Sequence, residues 1–448
     1  MAESFDVVIL GGGPAGEAVV RRLDGHGLRV ALVEQELVGG ECAYWACVPS
    51  KTLLRATEIR QAAQRFPGLS EPEATWPEIR SYRDRMISSL DDTDKSAQAE
   101  AAGAIIVRGQ GRIAGHGRVD VDGRMLTAEH IVVATGSTNV VPRIKGLKAA
   151  GAWTTRDLYM MDEPPRDAVV LGGGPVGVET AQMLQGFGSH VTIIEESDRL
   201  LSREDPAVSA ELATLLEDQG IEIRLRSRVK SVEPKGDRHL LRFSRGAAIL
   251  TERIVVAIGR EPSVTGIGLD TVGIKPAKNG GIEVDARCGA GEGIWAAGDV
   301  TAVMPFTHVA HYQGEIVADS ILGRPRIADY RAIPRVVFTD PEVAAVGLTL
   351  AQAEADGLSV AEGTVALETL ARTGTYGKGY RGFLSVIADR DLGVLVGAWA
   401  VAPLASEWIS ATVLAIKAQI PVVELQDAPM QFPTFAEALA YAVNDLDF

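Results

Sequence analysis

The sequence predicts an α/β protein in which one βαβ unit occurs twice and an α+β segment follows. Three observations predict it. Residues 6–35, DVVILGGGPAGEAVVRRLDGHGLRVALVEQ, and residues 168–197, AVVLGGGPVGVETAQMLQGFGSHVTIIEES, share one layout. Each is an apolar β-branched run, a glycine turn, an alanine-rich helical stretch and a second strand ending in acid, which is a βαβ unit. The composition changes from Tyr330 on, where strand-like runs precede an apolar helix. The chain has 448 residues, more than one hydrophobic core normally serves.

In chain order, the first unit runs into residues 52–102, whose apolar residues recur at helical spacing. A strand-rich stretch over 103–145 contains TGS. The second unit is closed by LEDQGIEIRLRSRVKSVEP and VVAIGREPS. GIWAAGDV and the helical YQGEIVADSILG follow, then RVVFTDPEV and FLSVIAD as strands, and finally QFPTFAEALAYAV. The expected domains are a nucleotide-binding one over 1–145 and 263–326, a second over 146–262, and a third, α+β, over 327–448. Both nucleotide-binding domains are Rossmann-like.

Bulk properties exclude several classes. Hydrophobic residues make up 46% and charged residues 23%, a soluble globular profile. A formal net charge of −15 argues against nonspecific nucleic-acid binding. Three cysteines cannot build a secreted disulfide framework. The start, MAESFDVVIL, lacks the basic and long apolar stretches of a signal peptide. The most apolar region, from Gly393, is broken by Pro403, Ser406 and Glu407, so a strand, a turn and a helix are expected rather than a membrane span. A cytoplasmic location without a membrane is the expectation, and a structural disulfide would be unusual there.

Gly11, Gly13 and Gly16 form G-x-G-x-x-G directly after a strand. The first glycine permits a tight turn, the second lets backbone approach a pyrophosphate, and the third lets helix and strand pack closely. Glu34 ends the second strand, where a carboxylate can accept from ribose hydroxyls. Gly172, Gly174 and Gly177 repeat the pattern with Glu195 as the acid. An acid there favours NAD over NADP, although Arg199 lies nearby and softens the repulsion. Two dinucleotides in one chain imply electron transfer from a nicotinamide to a flavin. Asp299, at the end of GIWAAGDV, is placed to bond a ribityl or ribose hydroxyl.

Residues 40–51, GECAYWACVPSK, hold Cys42 and Cys47. Alone they fit a structural clasp, half a metal site or a redox pair. No second C-x-x-C and no histidine cluster lies nearby to complete a zinc site.

These motifs taken in order — GGGPAG, GGECAYWACVPSK, ATGS (with Gly136), GGGPVGVE, AIGREP (with Gly259), AAGDV, FTDPE and FPTFAE — resemble the flavoprotein pyridine nucleotide-disulfide oxidoreductases. That family includes dihydrolipoamide dehydrogenase, glutathione reductase and mercuric reductase. The resemblance covers essentially the whole chain. It implies FAD on the first domain, NAD(P)H on the second and a homodimer built through the third. It further implies a redox-active Cys42–Cys47 disulfide, with Cys47 against the flavin and Cys42 facing the substrate. Lys51 and Glu179 match a lysine–glutamate pair beside the reactive flavin nitrogen, where a cation stabilises negative charge on reduced flavin. Pro175 stands where glutathione reductase has an aromatic residue, so no aromatic gate is expected. Cys288 is expected to be a structural thiol.

The pattern breaks at QFPTFAE. Thiol-using members carry a catalytic histidine before the proline and a glutamate five residues later. Here those positions are Phe432 and Glu437. Loss of a general base costs roughly 10²–10⁴ in rate, so efficient dithiol turnover is not expected. His308 and His311, in FTHVAHYQG, come nearest by motif and are not assigned the missing role. Mercuric reductases also lack this histidine but carry a C-terminal cysteine pair that hands metal to the active disulfide; VNDLDF has no cysteine, so such a metal relay is not expected. The 2-ketopropyl-coenzyme M carboxylases carry phenylalanine there, but with histidine at the position of Glu437. Tyr44 and Trp45 either narrow the substrate mouth, stack on a planar acceptor or pack the core. The expected activity is an NAD(P)H-dependent flavoprotein reductase of an unusual disulfide or a non-thiol acceptor such as a quinone or metal ion. The alternatives are a dihydrolipoamide dehydrogenase-like enzyme, a carboxylase-like enzyme and a non-catalytic flavoprotein partner.

Overall fold

The computed structural model describes residues 3–448. The chain divides into two compact units. Among the described residues, the first comprises 3–50, 81–140 and 260–329; the second comprises 51–80, 141–259 and 330–448.

The first unit is built on a mainly parallel sheet. Its strand order is Gly289–Gly291, Ile294–Ala296, Arg124–Val133, Glu3–Leu10, Val30–Glu34 and Ala104–Arg108. Strand Glu3–Leu10 is central and is parallel to both neighbours. Its Val7, Val8 and Ile9 are wholly buried, as a parallel strand covered on both faces requires. Helix Pro14–Leu23 follows, with Pro14 at its first turn, where a missing N–H costs nothing. It packs against helix Thr307–Ile321. The contact is close because Gly314 has no Cβ to meet Ala15 O and Ala18 Cβ. The chain leaves this unit after strand Ser137–Asn139 and returns on Arg260–Pro262. These two strands pair antiparallel.

The second unit contains the second βαβ motif. Strands Glu222–Arg224, His190–Ile194, Asp167–Leu171 and Arg253–Val256 form a parallel sheet in that order. A three-stranded antiparallel sheet, Val229–Lys235, Arg238–Phe243 and Ile249–Thr251, adjoins it in sequence. The C-terminal part is a five-stranded antiparallel sheet in the order Pro334–Val337, Glu342–Gly347, Val394–Ala402, Phe383–Asp389 and Val360–Ala366. The expected strand RVVFTDPEV is thus two strands. The ladder stops at Phe338–Pro341, where Pro341 has no N–H to continue it. The apolar stretch from Gly393 is the buried strand Val394–Ala402, a turn and the helices Ala405–Trp408 and Ser410–Lys417. Among the described residues no helix is long and apolar enough to cross a membrane.

Candidate active site

The two glycine turns have the same geometry. In the first, Gly11 has φ of +109° and a Cβ there would collide with Ala134 O; a Cβ on Gly16 would collide with Gly11 O. In the second, Gly172 has φ of +111° and faces Ala257 O, and Gly177 faces Gly172 O. The middle glycines differ in kind. Gly13 and Gly174 have ordinary φ values of −79° and −77°. A Cβ on Gly174 would meet nothing within 4 Å, and one on Gly13 only Gly40 Cα at 3.8 Å. Neither backbone strain nor packing calls for glycine at those two positions.

Each turn is closed by its acid. Gly12 N donates to Glu34 Oε2 at 2.7 Å and Glu36 N to Glu34 Oε1 at 2.7 Å. Gly173 N donates to Glu195 Oε2 at 2.6 Å and Ser197 N to Glu195 Oε1 at 2.6 Å. Arg199, expected to soften the charge of Glu195, is turned to backbone. Its guanidinium donates to Glu204 O and Ser202 O at 3.0 and 2.6 Å. Arg228 pairs with Glu196 at 2.5 Å and Arg226 with Asp198 at 3.6 Å.

Gly136 and Gly259 both have positive φ, +69° and +126°, and a Cβ at either would meet nothing within 4 Å. Backbone conformation, not crowding, therefore selects glycine there. Asp299 opens a short 3₁₀ turn after Gly298 and accepts from Ser137 Oγ at 2.6 Å. Arg260 in turn donates to Ser137 Oγ at 2.8 Å and lies 3.4 Å from Glu41. The motifs that contain Ser137 and Arg260 give no sign that Ser137 bonds Asp299 or that Arg260 bonds Ser137.

Cys42 lies within the short helix Gly40–Tyr44, and Cys47 opens the helix Cys47–Arg65. The structure holds them as thiols, whereas the resemblance implies a disulfide. Thr307, at the first turn of helix Thr307–Ile321, serves both sulfurs. Its hydroxyl donates to Cys42 Sγ at 3.1 Å and lies 3.5 Å from Cys47 Sγ. The hydrogen bond with Cys47, then burial, then the charge of Cys47 push the Cys42 thiol far up; Thr307 opposes them. Two neighbouring thiols resist carrying two negative charges. Tyr44 is only 2% exposed and donates its hydroxyl to Val38 O at 3.0 Å, so it packs the core and cannot stack on an acceptor. Burial first, then Asp92 and Glu17, raise its hydroxyl to about 12. His308 stacks on Phe306 at 5.3 Å, and burial pushes His311 below the ordinary imidazole value. Cys288 is completely buried in the first unit's core.

Lys51 and Glu179 form an ion pair, Nζ to Oε2 at 2.6 Å. Glu179 lies on helix Pro175–Gly186, whose first residue is Pro175. Its second oxygen accepts from Phe338 N at 2.8 Å, and the Phe338 ring lies 4.8 Å from Lys51 Nζ. Phe432 is 73% exposed, whereas Glu437 is 5% exposed just before helix Ala438–Asn444. Beside them is a shallow groove lined by Arg372, Tyr376, Leu404, Glu407, Trp408 and residues 433–436. No cluster of three or more His, Cys, Asp or Glu suited to a metal ion occurs among the described residues.

This combination of paired βαβ turns, vicinal cysteines and a C-terminal antiparallel sheet defines a class. The chain belongs to the pyridine nucleotide-disulphide oxidoreductases: that family's model matches residues 5–314, and the model of its dimerisation domain matches residues 333–443. Members use FAD and NAD(P)H, and the chain is an oxidoreductase of this family. It is 35% identical to a mercuric reductase of Streptomyces lividans over 98% of this chain and 96% of that one. It is 31% identical to a dihydrolipoyl dehydrogenase of Bacillus subtilis over 100% and 99% of the two chains. Among solved structures it resembles the HOCl-induced flavoprotein disulfide reductase RclA from Escherichia coli, with a TM-score of 0.88, 29% identity and coverage of 98% and 99%. A Cu(II) complex of the same reductase gives a TM-score of 0.87.

Proposed function

We propose that this chain is an NADH-preferring flavoprotein reductase whose Cys42–Cys47 pair delivers electrons to an acceptor other than a dithiol, with a soft metal ion as the first candidate. The observation that carries this is Phe432. The position that the resemblance gives to a histidine base holds a side chain that cannot titrate.

The residues fit the two dinucleotides. Gly13 and Gly174 are glycines that their own φ and packing do not require, which is what close approach of a pyrophosphate demands. Gly11 and Gly16, with Gly172 and Gly177, pack the two turns. Glu34 and Asp299, with the turn at Gly136, would hold FAD, and Glu195, with the turn at Gly259, would serve the nicotinamide nucleotide, Glu195 at its adenine ribose. When bound, these groups supply the two-electron redox chemistry that the chain's own side chains lack. NADH preference is supported by Glu195 and by the two hydrogen bonds that engage Arg199 with the carbonyls of Ser202 and Glu204. Lys51, held by Glu179, would supply the fixed positive charge beside the flavin.

The cysteine pair takes up two electrons and two protons when its disulfide opens to two thiols; when it closes, the two electrons pass to the acceptor, reducing one mercuric ion to the metal or two cupric ions to cuprous, and the two protons go to solvent. Thr307 donates one hydrogen and so stabilises one thiolate of the pair at a time. A pair of adjacent sulfurs is a soft donor set, and a metal ion as acceptor needs no histidine to take protons from it. The likenesses to a mercuric reductase and to a reductase solved with Cu(II) support this choice. The chain would act as a homodimer through residues 333–443, where Phe432, Leu414 and Val423 are well exposed.

The test is an acceptor panel at steady state with NADH: mercuric and cupric ions, a quinone, an aromatic disulfide, glutathione disulfide and lipoamide. Turnover with a metal ion and little with lipoamide is expected. Rapid lipoamide turnover would replace this reading with a dihydrolipoamide dehydrogenase, which the Bacillus subtilis likeness favours. Anaerobic titration with NADH tests the cysteine pair separately. A long-wavelength absorbance must appear on reduction and vanish in Cys47→Ser.

A further inference from the structure

FTDPE, residues 338–342, marks the family resemblance, yet none of its side chains has a part in the function proposed above. In the structure this segment is tied to two helices at two levels. At the first level, Phe338 serves both members of the ion pair. Its amide donates to Glu179 Oε1 at 2.8 Å, and its ring lies 4.8 Å from Lys51 Nζ. At the second level, Asp340 repeats the arrangement. Its carboxylate accepts from Arg65 Nη1 at 2.7 Å, and its amide donates to Gln182 Oε1 at 2.7 Å. Lys51 and Arg65 share the helix Cys47–Arg65, and Glu179 and Gln182 share the helix Pro175–Gly186. Gln182 and Gln219 return hydrogen bonds to Asp340 O at 3.0 and 3.2 Å.

Lys51 needs such support. Its side chain is 34% exposed, while that of Glu179 is 5% exposed. An ammonium on a four-carbon stem has many rotamers and is strongly hydrated, so water competes with the carboxylate for it. One carboxylate contact fixes one N–H direction only. An aromatic face within about 6 Å adds a second, non-competing attraction from another side. The backbone amide of Phe338 fixes the carboxylate itself.

We propose that Phe338 is a positioning residue: its amide orients Glu179 and its ring face holds the Lys51 ammonium, so that the charge of Lys51 acts on FAD from one place. This rests on the reading that Lys51 serves the flavin. Asp340, locked to Arg65 and Gln182, keeps the segment that carries Phe338 in register with both helices.

The experiment is the FAD midpoint potential of the holoenzyme, by equilibration with a reference dye. It compares the wild type, Lys51→Met, Phe338→Leu, Phe338→Tyr and the double variant. Lys51→Met is expected to lower the potential. Phe338→Leu keeps the amide but loses the π face, and is expected to lower it by a smaller amount. Phe338→Tyr should restore the wild-type value. In the Lys51→Met background, Phe338→Leu should add no shift. Pentafluorophenylalanine at position 338 keeps the shape of the ring and reverses its quadrupole, so it must shift the potential as leucine does even if the leucine variant loses FAD. A normal potential in Phe338→Leu or in the fluorinated protein, with Lys51→Met shifted, overturns the inference. So does an equal shift in both backgrounds. An unmoved potential in Lys51→Met instead overturns the role given to Lys51, and this inference with it.

Discussion

Thr307 Oγ1 lies 3.1 Å from Cys42 Sγ and 3.5 Å from Cys47 Sγ, so one hydroxyl at the start of a 15-residue helix serves both sulfurs. The helix N-terminus adds a partial positive charge on the same side. Both effects favour a thiolate, against the burial and the neighbouring thiol that push Cys42 up.

Removing that hydroxyl should make the pair harder to ionise. A hydrogen bond to a charged group is worth about 1.5–3 kcal/mol, so Thr307→Val should slow alkylation of Cys42 at pH 8 by roughly 10-fold or more. The rate should recover at higher pH, because the thiolate forms there without help. Thr307→Ser should behave as wild type. Iodoacetamide labelling of the reduced protein, followed by peptide mass spectrometry, reads this directly. Identical pH profiles for valine and threonine would remove Thr307 from the site.

The exposed position of Phe432 allows a clean gain-of-function test. Phe432 is 73% exposed on the protomer, so Phe432→His should leave the protomer core intact, and because residues 333–443 are given to the dimer contact its dimerisation is measured alongside. If the missing base limits dithiol turnover, oxidation of dihydrolipoamide by NAD should rise at least about 10-fold, toward the roughly 10²–10⁴ that general bases supply. No gain would mean that another feature closes the site to dithiols.

Nucleotide choice turns on Glu195. On the proposed reading its carboxylate would repel a 2′-phosphate, while two hydrogen bonds hold Arg199 to backbone carbonyls. NADH should have a KM at least about 10-fold below that of NADPH, a like-charge effect of about 1.4 kcal/mol. Glu195→Gln should narrow the gap, mainly through the KM for NADPH. Equal KM values in the wild type would show that the acid does not select.

Glu179→Gln should cost stability as well as function. Breaking a fully buried pair costs about 3–5 kcal/mol, and the one-third exposure of Lys51 lowers that to about 1–3 kcal/mol. Urea unfolding of the holoenzyme measures it. A loss of less than about 0.5 kcal/mol would mean that Lys51 finds water instead.

Acid stability should depend on Asp319. Burial alone would raise its carboxyl value, but hydrogen bonds from Arg22, Arg326 and Arg324 outweigh burial and hold it below the ordinary range. A carboxyl lowered in the folded state gives stability above its unfolded value of about 3.9. That stability is lost as pH falls through the lower, folded value. Asp319→Asn should therefore weaken the protein near pH 7 and flatten the decline of its urea midpoint below pH 4. An unchanged acid limb would contradict this.

The sequence by itself determined both glycine turns, the acids that close them and the cysteine stretch. These are local features: Gly12 meets Glu34, and Gly173 meets Glu195, each across 22 residues of a βαβ unit whose path is fixed by strand, turn and helix. The ion pair of Lys51 and Glu179, 128 residues apart, is legible only through the family resemblance. Tertiary structure alone decided the rest. It set Thr307 beside Cys42, 265 residues away, and Arg260 behind Ser137 and Asp299. It turned Arg199 to the backbone, buried Tyr44 in the core and put Phe338 over Lys51. Chain order carries no signal for contacts that arise when distant helices and strand ends are packed together. FTHVAHYQG and FTDPE stand out as motifs, but only the packing shows which of their side chains reach the sulfurs and the ammonium.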